Sequence, residues 1–454
     1  MRQISRRRFI GEMSCAAVGA SSLFSSLLTL RLTAATVTPS SNYRALVCLF
    51  LYGGNDSFNM LVPRQSAAYN QYATTRDNVS LAQADLLPIS SINQPFTEFG
   101  LHPSLTRLQS IYNSGNLAFL ANVGTLIEPM TVAKYNNSPN LHPKGLFSHS
   151  DQQFHWQTVL PQYRGTPFGG WAGRVADAMQ HLNTQRKIAM NVSLNGVNVL
   201  QTGNETLTYS VSSSGTPTID AYQDQTERVA VDTILAQSYK NLYQQSLADK
   251  IKNSYDTTEV FDNAVSGVTL NTVFPSTDLA SKLKMIARTI AARSALCMDN
   301  QIFFVGLGGW DHHTELLNNH NGLLTQVDGA VGAFWDAMVE LGVQNDVTLF
   351  SASDFGRTLA SNGQGTDHAW GSNQFVLGGS VNGGRIYGQY PELAIGSSLD
   401  VGRGRLVPTT SVDVYCAELA SWFGVPAHDI ATVLPNIGNF VNPVTTPRPL
   451  GLLT

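Results

Sequence analysis

Cysteine is scarce in this sequence, and so is charge. Four cysteines occur in 454 residues, none in a C-x-x-C pair. Cys15 lies in the leader discussed below, which leaves Cys48, Cys297 and Cys416, each in an apolar run. An odd number at wide spacing makes a poor disulfide framework, so buried free thiols are expected and thiolate chemistry is not. Asp, Glu, Lys and Arg together reach only 13%, with a net charge of −4. That balance argues against a nucleic-acid partner. The 43% hydrophobic share excludes a disordered chain and suffices for a large core. After the leader no apolar run reaches the roughly 18 residues of a membrane span. No P-loop and no G-x-S-x-G elbow occurs, which counts against an NTPase and an α/β-hydrolase.

What is present begins with an address. Ser5-Arg6-Arg7-Arg8-Phe9-Ile10 matches a twin-arginine export signal, an apolar stretch runs to about Leu30, and Ala34 and Ala35 offer a cleavage site. Residues 1–35 are therefore expected to be a signal peptide read by the twin-arginine export machinery. Residues 36–454 would be the mature chain, periplasmic or secreted, with no stable membrane insertion after cleavage.

Continuous apolar runs at Arg44–Leu51, Leu117–Val123, Gln301–Leu307, Val347–Ser351 and Gln374–Leu377 read as strands buried on both faces. Helical patterns lie between them at Asp278–Met298, Leu316–Leu341 and Val412–Phe423. This alternation predicts an α/β fold, a mainly parallel central sheet with helices on both faces. A polar stretch rich in Ser, Thr, Asn and Gln, around 191–270, reads as an insertion, partly helical around Tyr222–Lys252. The tail Pro443–Pro449 reads as an extended surface strap.

Open α/β sheets bind ligands beyond the carboxyl ends of their strands. Gly53-Gly54-Asn55-Asp56 follows the first run, and Gly308-Gly309-Trp310-Asp311-His312-His313 follows the third. After the fourth come Ser353-Asp354-Phe355-Gly356-Arg357 and then Asp367-His368. Asp56, Asp311, His313, Asp354 and His368 on one rim would make an oxygen- and imidazole-rich metal site, suited to Zn²⁺, Mn²⁺, Mg²⁺ or Ca²⁺. Five protein ligands exceed the need of one ion, so two divalent cations are expected. For each residue the plain alternative is a helix cap, a structural ion pair or a satisfied loop histidine. Ser148 and Ser150, in Phe147-Ser148-His149-Ser150-Asp151, both fit a nucleophile at a helix start, and spacing does not choose between them. Arg357 or Arg174 would neutralise anionic oxygens.

At these residues the chain resembles the DUF1501 family, exported bacterial proteins placed in the alkaline phosphatase and sulfatase superfamily. The matching pieces also include Leu101-His102-Pro103-Ser104-Leu105 and Ser148-His149-Ser150-Asp151-Gln152-Gln153. The resemblance implies an alkaline-phosphatase-like fold with Ser148 as nucleophile. It implies Asp56 and Asp354 on one metal and Asp311, His313 and His368 on the other. Phe355 stands where alkaline phosphatases place a metal-binding His, and Glu315 where the superfamily often places another. One metal site is therefore expected to be incomplete or to use other ligands. The function this implies is an exported metal-dependent hydrolase of phosphate or sulfate esters, acting on a small-molecule or polysaccharide ester. The rival is a non-catalytic secreted binding or surface-assembly protein that keeps the fold.

Overall fold

The apolar run after Arg44 forms a strand, β1 (Arg44–Leu51), because its side chains find apolar cover on both faces. Ala45, Val47, Leu49 and Leu51 join one core cluster, and Leu46, Cys48 and Phe50 join another. The structure is a computed structural model that describes residues 43–165, 169–179, 181, 188–216 and 225–454. The signal peptide expected at 1–35 lies outside them.

Three short strands, β2 (Leu61–Pro63), β3 (Leu87–Ser90) and β4 (Glu98–Leu101), make a small antiparallel sheet. The main sheet continues with β5 (Leu117–Gly124), β6 (Asn191–Ser193), β7 (Tyr209–Ser210) and β8 (Asn300–Leu307). It is completed by β9 (Val347–Ser353), β10 (Ser372–Leu377), β11 (Arg385–Tyr387) and β12 (Thr410–Ser411). The strand order is β11-β5-β10-β9-β1-β8-β6-β7, with β12 also on β5. Pairings are parallel except those of β10, which runs antiparallel to both β5 and β9. The expected sheet is thus mainly parallel, with one strand reversed. An apolar run reads the same in either direction, so the sequence carries no sign of that reversal.

The longer helices are α1 (Ser66–Arg76), α2 (Thr106–Asn113), α3 (His149–Thr158), α4 (Trp171–Met179), α5 (Gln225–Leu235), α6 (Leu242–Ser266), α7 (Asp278–Ala291), α8 (Leu316–Glu340) and α9 (Val412–Phe423). Helix α7 starts where Thr277 accepts a hydrogen bond from the Ala280 amide. Its Leu279, Leu283, Ile286 and Ile290 are buried, each contributing about 1.5–3 kcal/mol. With α2 and α8 it covers one face of the sheet, while α4 and α9 cover the other. The polar stretch 191–270 supplies the last two strands on one side of the sheet, β6 and the edge strand β7, before its helices α5 and α6. Pro443–Pro449 lies mostly in turns and bends. The residues after it are tied to buried Glu418, whose carboxylate accepts from the amides of Leu450, Leu452 and Leu453. Cys48, Cys297 and Cys416 are free thiols, two of them buried.

The register of the central strands sets the functional edge. Leu51 of β1 lies opposite Leu307 of β8 and Ser353 of β9, so all three end at one level. Because β10 is reversed, the residues just before it, including His368, reach the same edge.

The loop after β1 is held by a buried ion pair, Arg76 Nη2 to Asp56 Oδ2 at 2.6 Å, both side chains inaccessible. Removing one member strands the other charge. Arg76→Met should lower unfolding free energy by about 3–5 kcal/mol in denaturant titrations. The double variant Arg76→Met with Asp56→Asn should lose less than the two single variants added together.

Candidate functional site

The site residues meet at one edge of the sheet: Asp311 and Asp354 follow β8 and β9, His368 precedes β10, and His149 begins α3. Asp354 is the first residue after β9, and its fully buried carboxylate gathers three donors. The Gly53 amide reaches Oδ1 at 3.1 Å. His149 Nδ1 and Gln153 Nε2, one turn apart on α3, reach Oδ2 at 2.7 and 2.8 Å. Gly53 has φ +120, and a β-carbon there would lie 2.6 Å from the Asp311 amide nitrogen. Only glycine lets these two loops approach so closely.

Asp311, two residues past the Gly308-Gly309 pair, extends into the gap between α3 and the loop before β10. Its Oδ2 lies 3.3 Å from His149 Nε2. Its Oδ1 lies 2.6 Å from Arg357 Nη1, 3.0 Å from His313 Nε2 and 3.2 Å from His368 Nε2. Donor atoms of His149, Asp311 and His368 all fall within 4.8 Å of one another. His313 Nε2 is 3.1 Å from His368 Nε2 at the side of this group.

The outer nitrogen of each ring decides what the inner one offers. His149 Nδ1 faces the Asp354 carboxylate, His313 Nδ1 faces Asp367 Oδ1 at 3.2 Å, and His368 Nδ1 faces the Phe147 carbonyl at 2.8 Å. All three partners are acceptors, so each Nδ1 donates and each ring turns its Nε2 toward the Asp311 carboxylate. The three Nε2 atoms then face the Asp311 carboxylate, and either a proton on an imidazole or a bound cation satisfies the group. Pinning the far nitrogen of each imidazole to a carboxylate or carbonyl is also how metal-binding histidines are oriented. The residues therefore fit a divalent metal, with His149, Asp311 and His368 as ligands and His313 beside them.

Charge in the group is tuned by its neighbours. The hydrogen bond it donates to Asp354 raises the His149 pKa above the usual imidazole value; burial opposes it and the charges of Asp354 and Asp311 add to it. For Asp311, burial works upward, but the hydrogen bond and charge of Arg357, with His313 and His149, leave the carboxyl below its ordinary value. Burial lowers His368. Phe355 packs its ring against both His149 and His368, at 4.8 and 4.7 Å between centroids.

Residues 43–401 match the family described as "Protein of unknown function (DUF1501)". The chain belongs to the DUF1501 family. Among solved structures, the PsFucS1 sulfatase from Pseudoalteromonas sp. is 11% identical over 88% of this chain and 70% of its own, with a TM-score of 0.34. The lipoteichoic acid synthase LtaP from Listeria monocytogenes is 7% identical over 82% and 76%, with a TM-score of 0.32. The alkaline phosphatase PafA is 11% identical over 70% and 63%, with a TM-score of 0.28. No curated protein matches the sequence.

This DUF1501 chain brings Asp311, His313, His368 and Arg357 together, and adds His149, which the sequence reading passed over. Asp354 is at the site, but its oxygens are engaged by Gly53, His149 and Gln153, so it positions a ligand. Asp56 stands apart in its ion pair with Arg76, with Thr366 Oγ1 donating to it at 3.0 Å. Arg357 is fully buried and bonds Asp311, the Gly53 carbonyl and the Thr366 carbonyl, so it steadies the Asp311 carboxylate rather than facing solvent. Arg174 is spent on the carbonyls of Thr158, Gly169 and Val433. Ser148 begins α3 without capping it, and its hydroxyl meets that of Ser150 at 3.2 Å. His312, between Asp311 and His313, is turned into the protein, where burial lowers its pKa. Among the described residues one such donor group forms, not two.

In metal-free protein the His149 ring should titrate above ordinary imidazoles by NMR, and Asp354→Asn should bring it down. The folded state binds that proton more tightly than the unfolded chain does. Its contribution to stability is therefore present below the unfolded pKa and fades as pH rises through the folded one. Asp354→Asn should also weaken Zn²⁺ binding about 10–100-fold in equilibrium dialysis. Asp311→Ala should cost more.

Proposed function

We propose that this chain is an exported metal-dependent hydrolase of phosphate or sulfate esters. The observation that carries the reading is the inward convergence of three imidazole nitrogens on one carboxylate, each imidazole pinned from behind. Two imidazole nitrogens and one carboxylate, with a third imidazole beside them, favour Zn²⁺ over Mg²⁺ or Ca²⁺. One ion is assigned rather than the two expected, because among the described residues one donor group converges, and Asp56 Oδ2 is held by Arg76 and Thr366. A divalent cation bound there supplies Lewis acidity and offsets charge developing on the ester oxygens.

The chain's own residues do the rest. Asp354 and Gln153 fix His149, and Arg357 fixes Asp311. Arg403, half-exposed and 2.6 Å from Asp367 Oδ2, is a cation near the rim that can meet non-bridging oxygens. Ser148, the residue before His149, remains the proposed nucleophile, with Ser150 the alternative; neither hydroxyl is tied up as a helix cap. Phe355, which as a sequence departure favours the binding-protein rival, packs against the two imidazoles and forms one wall of the group. Export rests on the Arg6-Arg7-Arg8 motif, and among the described residues no helix is long and apolar enough to cross a membrane.

Protein purified without chelator should carry about one metal ion per chain, falling well below that in Asp311→Ala. It should hydrolyse p-nitrophenyl phosphate or sulfate, and a chelator should stop it. Ser148→Ala should lower kcat by roughly 10³-fold or more, as loss of a covalent nucleophile does. Absence of metal after reconstitution sinks the reading. Bound metal without turnover of any phosphate or sulfate ester moves it to the binding protein.

A further inference from the structure

Beside the metal-binding group lies a cavity of about 520 Å³, within the roughly 300–1,000 Å³ usual for small-molecule sites. Two of its lining residues belong to the site's surroundings. Gln153 donates to Asp354, and Tyr52 is the residue that follows β1. The far wall is the loop after β6, with Asn195, Asn198, Val197 and Val199.

Its chemistry is specific. The described lining residues include no Asp, Glu, Lys, Arg or His. They do include four primary amides, from Gln153, Gln157, Asn195 and Asn198, and two aromatic rings, from Tyr52 and Phe154. A carboxamide both donates and accepts, as a hydroxyl does, whereas an ammonium only donates and a carboxylate only accepts. Part of this capacity is used internally: Gln153 Nε2 donates to Asp354, Gln157 Oε1 accepts from the Leu200 amide, Asn198 bonds Ser193 and Gln201, and Asn195 Oδ1 lies 3.5 Å from Lys282 Nζ. Gln153 Oε1, Gln157 Nε2 and Asn195 Nδ2 are the amide atoms left to match hydroxyls. Aromatic faces match the C–H faces of a sugar ring. Exposed Val197 and Val199 add apolar surface at the rim.

The Tyr52 ring is placed there by the sheet. A β-carbon on Gly306 of β8 would sit 2.5 Å from Tyr52 Cε2, so glycine at that position lets the ring lie over the strand. Phe50 and Phe304 back it, at 4.5 and 6.4 Å between centroids.

We infer that this cavity is a subsite for a neutral sugar unit, the alcohol portion of the ester cleaved next to it. The assignment of that unit as a leaving alcohol rests on the hydrolase reading; the binding of the sugar does not. The ester's anionic group would sit at the histidine–aspartate group, and the uncharged ring would occupy the amide-lined cavity. A sugar phosphate or sugar sulfate fits both halves. A nucleotide or polyphosphate, which carries further charge into the neutral half, does not.

The test uses neutral methyl glycosides of glucose, galactose, fucose and N-acetylglucosamine. Binding is followed by saturation-transfer NMR on the full protein, with and without EDTA. p-Nitrophenyl phosphate and sulfate turnover is measured in parallel. At least one glycoside should bind saturably whether or not EDTA is present. Phe154→Ala and Asn195→Ala, each checked by thermal melting, should weaken that binding by about tenfold. Failure of all four glycosides to bind overturns the subsite, and if the aryl esters are still cleaved the hydrolase reading stands. Binding that is unchanged in both folded variants also overturns it, since the sugar then sits elsewhere. Glycoside binding that is lost in the variants, in a protein that cleaves no ester, keeps the subsite and removes the hydrolase.

Discussion

One buried carboxylate organises the edge of this sheet. Asp354 leaves β9 with no water around it, and such a group is tolerated only if its oxygens are satisfied. The three donors that satisfy it come from separate parts of the chain: the glycine loop after β1 and two side chains of α3. In meeting its own requirement Asp354 fixes where His149 points. It also brings the loop after β1 against the loop carrying Asp311. The rest of the site follows from that, with Arg357 bridging the Gly53 carbonyl and Asp311 from the other side.

Much of the architecture was legible in the sequence. The apolar run at Arg44–Leu51 has the bounds of β1, and Thr277 caps α7 within the Ser276-Thr277-Asp278 start. Asp311, His313, Asp354 and His368 were legible as residues beyond strand ends, and the structure places all four at one edge. The role of His149 was not legible, since Ser148-His149-Ser150 reads first as two hydroxyls at a helix start. Its signal was the spacing to Gln153, which puts two polar side chains on one face of a helix start. The role of Asp56 was not legible either. Its position matches the other strand-end acids, but Arg76 lies twenty residues away, and a pairing of that kind is decided only by the packing of α1.

Phe355 shows how a departure from a pattern changes meaning in three dimensions. In sequence it is the loss of a ligand from a superfamily position. In the fold it is an apolar wall packed against two touching imidazoles, and Gly54 leaves it room: a β-carbon there would lie 2.6 Å from its ring. Apolar surroundings strengthen electrostatic attraction inside a site. The residue is consistent with a smaller centre as much as with a decayed one.

The strand order carries a cost for the nascent chain. β1 is the first strand of the sheet and lies at its centre, yet Arg44 pairs with Asn300 and Ala45 with Val347. Loop closure over such distances must be met before any of those contacts rewards it, which slows folding. Until both partners have been synthesised, an eight-residue strand with two apolar faces has no sheet to enter. No amino-terminal fragment that stops short of β8 can complete the core around β1. Folding of this domain therefore has to wait for most of its length, with the sticky first strand kept from other chains in the meantime.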